Sequence, residues 1–62
     1  MSNRIEYRGQ LYAEDELRES IRLVNMELRA GLPKRERIEA QQQIVEMESC
    51  LRALLISEAA GR

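Results

Sequence analysis

Three residues, Gly31-Leu32-Pro33, set most of the limits on what this chain can fold into. On either side of them apolar residues recur at helical spacing. Before the break, Leu17, Ile21, Val24 and Leu28 step by 4, 3 and 4. After it, Ala40, Ile44, Met47, Leu51 and Leu54 step by 4, 3, 4 and 3, a heptad seam that packs against another helix. Glycine suits the left-handed position just past a helix end. Proline suits the first turn of the next helix. A helix stop and a helix start this close together predict a tight antiparallel αα-hairpin.

The 62 residues allow one small domain, 1–62. It divides into an extended lead at 1–12, a helix at 13–30, a turn at 31–33 and a second helix at 34–59, with the closing "EAAGR" expected to fray. Glu14, Asp15 and Glu16 put negative charge in the first turn, where the helix dipole favours it. With Ala13 as N-cap, Tyr12 and Leu17 take the two positions of a hydrophobic staple. Helices of about 17 and 25 residues leave the second overhanging the first by roughly 12 Å. In an antiparallel hairpin Glu14 lies near residue 50, so helix 1 does not reach Leu51, Leu54 and Leu55.

The lead emerges beside that bare end. Its stretch "IEYRGQLY" holds both tyrosines, and the chain has no Phe or Trp. If the strand alternation is carried through, Ile5, Tyr7 and Leu11 share a face, and Gly9 marks a turn. Arms of two or three residues are marginal alone. The lead is therefore expected as a lid, on its own chain or on a partner's; the alternative is a loose tail.

One cysteine excludes an internal disulfide, and the absence of histidine argues against structural zinc. Of the usual staples for a fold this small, oligomerisation is left. Leu23, Met26, Ile38, Val45, Leu55 and Ile56 lie off the main seams, mixed with Gln41, Glu48 and Arg52. An apolar strip diluted in this way suits an interface. The expected fold is all-α: an antiparallel two-helix hairpin with a short extended N-terminal lead, dimerising into a four-helix bundle. Leu23, Met26 and Val45 are the expected dimer contacts.

Charged residues make up 34% of the chain yet leave a net charge of −1, which argues against nucleic-acid binding by bulk charge. No apolar run is long enough to span a bilayer, and the start lacks an apolar signal core. A lone thiol fits a reducing compartment, so the expectation is a cytoplasmic protein with no membrane partner.

Chemistry finds little to work with. The acidic group at 14–16 reads as a dipole-compensating helix start. Glu46 and Glu48 point to different sides of a helix, Cys50 has no base in view, and the three glycines form no phosphate loop. We expect no enzyme, no cofactor and no metal. Arg29, Lys34, Arg35 and Arg37 crowd the turn, the last three against the positive start of helix 2. They are either a solvated helix end or an anion-binding patch. The second option gives the alternative reading, a small nucleic-acid-binding or transcription-associated protein.

The pattern "IEYRGQLYAEDELRESI" followed by "GLP" resembles small proteins of phage early regions, which open with an aromatic-Arg-Gly turn and an acidic helix start. In size and build the chain looks most like phage-encoded helical antagonists of host regulators, the group of quorum-sensing anti-activators and anti-CRISPR proteins. The resemblance covers Ile5 to Ile21 and carries no contact residue over. It implies a homodimer that binds a host protein, such as a transcriptional regulator, and occludes its functional site. From the residues themselves, the expected partner contacts are Tyr7, Tyr12, Leu55 and Ile56, in the lead and the overhang.

Overall fold

The structure, a computed structural model, describes residues 3–60. In chain order it forms β1 (Ile5–Tyr7), β2 (Gln10–Tyr12), α1 (Glu14–Ala30) and α2 (Lys34–Ala60). The two helices pack side by side as the expected hairpin, in a rod 43 × 17 × 15 Å.

The lead is more than extended chain, and the all-α expectation needs correcting for it. β1 and β2 pair antiparallel through a two-residue loop. Arg8 at φ 52° and Gly9 at φ 84° both lie in the left-handed region. That is the signature of a type I′ turn, whose twist matches that of the strands it joins. The loop also corrects the expected face of Leu11. Ile5 pairs with Tyr12, Glu6 with Leu11, and Tyr7 with Gln10. Partners share a face, so odd positions in β1 match even positions in β2. Counting alternation straight through the loop misses this inversion. Ile5, Tyr7 and Tyr12 face the helices, while Leu11 faces out at 63% exposure.

The N-cap of α1 is Ala13, which has no side-chain acceptor to offer. Glu16 supplies the reciprocal half of a capping box: its Oε1 accepts the Ala13 N–H at 2.8 Å. The same oxygen accepts Arg4 Nη1 at 3.3 Å, joining the start of the lead to the start of the helix. Tyr12 packs on the cluster containing Leu17, as a staple should. At the other end Gly31, at φ 104°, donates its N–H to the Glu27 carbonyl. The Pro33 carbonyl then accepts from Arg37 at 2.8 Å, opening α2. α2 continues through Ala60, one residue beyond the expected end. Gly61 and Arg62, the last of the segment expected to fray, lie outside the described residues.

Among the described residues only Leu17, Ala40, Met47 and Leu54 are buried. Leu17, Met47 and Leu54 form one cluster, against which Ile5, Tyr7, Tyr12, Ile21, Val24 and Leu51 pack half-buried. Leu54, 2% exposed, belongs to this cluster together with Leu17 of α1. Ile5, Tyr7 and Tyr12 of the β-hairpin pack on the same cluster, so the lid closes on its own chain.

Candidate interaction surface

Two surfaces follow from this packing: a polar clasp that holds the lid, and grooves that run between the helices. The clasp centres on Glu46, one turn before Cys50 on α2. Glu46 Oε1 accepts the Tyr7 hydroxyl at 2.9 Å and Arg8 Nη2 at 3.1 Å. The Arg8 guanidinium also lies 5.4 Å from the centre of the Tyr7 ring, a cation–π distance. Tyr7 and Tyr12 meet at 6.2 Å between ring centres, tilted by 59°. Burial, and then the bond to Glu46, raise the Tyr7 phenol above its ordinary range. The Tyr7 and Arg8 donors hold the Glu46 carboxyl below its own. Both tyrosines are thus engaged within the chain, half-buried against its core. Sequence reasoning passed over Glu46 because no local pattern joins it to a residue 39 positions away.

The exposed apolar residues fall on separate sides. Successive helix positions turn by about 100°. Met26 follows buried Leu17 by nine residues, so it points away from α2. Val45 precedes buried Met47 by two residues, so it points away from α1. Leu23, Met26 and Val45, expected together in one dimer contact, therefore sit on opposite outer sides of the hairpin, all exposed. Val45 does share the outer side of α2 with Ile38 and Ile56, which are 55% and 63% exposed. The seven-residue step from 38 to 45, and the eleven from 45 to 56, keep these three in one stripe. Leu55 lies about 100° away from that stripe, on the flank.

The basic residues near the turn also separate. Lys34, Arg35 and Arg37 are exposed and spread around the first turn of α2 at about 100° per residue. Arg29 instead lines a groove of about 560 Å³ between the helices. Arg18 and Arg22 line it too, with half-buried Ile21 and Leu51 between the helices and exposed Met26 at its outer edge. The groove continues into a hollow bounded by Glu48, Leu51, Arg52 and Leu55. Arg18 pairs with Glu14 and Arg22 with Glu19, both within α1. Arg22 also reaches Met26 Sδ at 3.6 Å. The opposite face carries a second groove, lined by Glu27, Glu36 and Glu39 around Leu32 and Ala40. Glu27 and Arg29 are two positions apart, hence about 200° round α1.

Cys50 is half-buried against the core cluster. Among the described residues there is no group of three or more metal-ligating side chains, and no helix is long and apolar enough to cross a membrane. Comparison with family models, curated proteins and solved structures finds no match.

Proposed function

We propose that the chain is a non-enzymatic binding module, a homodimeric helical hairpin that covers a functional site on a partner protein. One observation carries this reading. Four apolar residues are buried among the described ones, while seven large apolar side chains, Leu11 and Ile38 among them, stay exposed. Surface of that kind marks a contact with another molecule.

A symmetric dimer uses the same patch on both copies. The stripe of Ile38, Val45 and Ile56 suits that role, because it is straight, lies on one helix and can pair with itself. Dimerising there leaves Leu55, Met26 and the groove between the helices free for the partner. Tyr7 and Tyr12 act behind this surface, fixing the end of α2 that carries Leu55. The likeness in size and build to phage-encoded helical antagonists suggests a host regulator as the target.

Sedimentation equilibrium tests the assembly. The expected mass is twice the 7.2 kDa of the chain at tens of micromolar, and a cooperatively melting monomer at that concentration overturns it. Affinity capture from a bacterial lysate tests the binding role. A protein retained by the native chain and lost with Leu55→Glu is expected; an identical retained set for both chains removes the assigned surface.

A further inference from the structure

Resting on that reading, we propose that the groove between the helices is built for an acidic amphipathic helix of the partner protein. Its lining is asymmetric. Arg18, Arg22, Arg29 and Arg52 border the groove and its continuing hollow, against the single carboxylate of Glu48. Glu14 and Glu19 offset two of these arginines from outside the lining, while Arg29 and Arg52 have no ion pair among the described residues. The floor is apolar where the rims are basic, with Ile21, Leu51 and Leu55 in the adjoining hollows.

Length and shape favour a helix as the occupant. From Arg18 to Arg29 the groove runs eleven residues of α1, roughly 16 Å, the rise of three helical turns. A helix of that length presents apolar anchors at i, i+3, i+4 and i+7 to a groove floor, and its flanking residues to the rims. Carboxylates on those flanks meet the arginines, and guanidinium binds carboxylate well because two N–H groups can engage both oxygens. The acidic groove on the other face of the hairpin repels the same ligand, so the charge also chooses the side.

The test uses the full chain and a fluorescein-labelled amphipathic peptide of fourteen residues, with leucines at the anchor positions and glutamates on both flanks. Fluorescence anisotropy reads the affinity. Saturable binding is expected, at least tenfold tighter than for the same peptide with lysines in place of glutamates. Arg29→Glu with Arg52→Glu should lose at least tenfold, while Glu39→Lys in the opposite groove should leave affinity unchanged. Added salt should weaken the complex. Equal binding of the two peptides overturns the proposal, as does affinity unchanged by the double reversal. So does an acidic peptide displaced equally by anionic vesicles or by single-stranded DNA, either of which would make the groove a general anion site. Circular dichroism of each variant checks that the hairpin remains folded. The outcome separates from the broader reading: a lysate partner lost with Leu55→Glu but kept after the double arginine reversal sinks the groove assignment and leaves the binding module standing.

Discussion

The Tyr7 hydroxyl donates to Glu46 Oε1 at 2.9 Å, joining the first strand to the middle of the last helix across 39 positions of chain. Removing the hydroxyl leaves the ring packed and the carboxylate held by Arg8 and, at 3.5 Å, by Gln42 Nε2. Tyr7→Phe should lower stability by about 0.5 kcal/mol, at the low end for a hydrogen bond because the pair is half-exposed. Urea unfolding followed by circular dichroism measures it. A midpoint equal to that of the native chain would show that the bond contributes nothing.

The same pair gives a pH dependence with a defined sign. The Glu46 carboxyl is held low in the folded chain, first by the Tyr7 hydroxyl and then by Arg8. Its contribution is therefore fully present above the ordinary carboxylate range and is lost as pH falls through the depressed value. The Tyr7 phenol is raised by burial, so its contribution holds below the ordinary tyrosine range and disappears as pH rises through the raised value. The stability gap between the native chain and Glu46→Gln should narrow on titrating from about pH 7 to about pH 3. A gap constant over that interval contradicts the clasp.

Gly9 tests the turn without any packing contribution. A Cβ at Gly9 meets nothing within 4 Å, and its φ is 84°. Gly9→Ala should therefore cost roughly 1 kcal/mol, all of it from the left-handed backbone. The same substitution should release the lid, visible as a weaker near-ultraviolet tyrosine signal. Full retention of that signal, together with unchanged stability, would mean that the turn is not of this type.

Leu54 reports whether the lid is part of the core. It is 2% exposed, in the cluster on which Ile5, Tyr7 and Tyr12 of the β-hairpin pack. Leu54→Ala should destabilise by about 2–4 kcal/mol, the cost of emptying a buried leucine site. The surface substitution Leu11→Ala, at 63% exposure, should change little. Equal effects at the two positions would show that the lid does not seal the helix end.

Val45 and Leu23 distinguish the two outer sides. Val45→Glu with Ile56→Glu should convert the proposed dimer to monomer in sedimentation, while Leu23→Glu should not. The opposite pattern would move the symmetric contact to α1.

The hairpin of helices was legible because its signals are local. Gly31 and Pro33 mark the break, and the seams at 17–28 and 40–54 repeat within one turn of helix. The staple between Tyr12 and Leu17 was legible for the same reason, as was the bare end that needed a lid. The clasp was not. Tyr7 and Glu46 meet only after α1 and the turn have folded α2 back, so their pairing is a property of the fold and not of any window. Leu11 was misplaced because a two-residue loop inverts the parity of alternation. The separation of Met26 from Val45 also needs both helices in place, since a side chain's outward direction is defined only against its neighbour. The charge of the grooves escaped for a like reason. The chain as a whole is nearly neutral, and only the packing brings Arg18, Arg22 and Arg29 to one groove and Glu27, Glu36 and Glu39 to the other.

That sorting has a physical consequence for concentrated solutions. With a positive furrow on one broad side and a negative one on the other, each molecule matches the reverse of the next one. Head-to-tail contacts of that kind give rings where the rotation closes and strings where it does not, and dissolved electrolyte should break either apart.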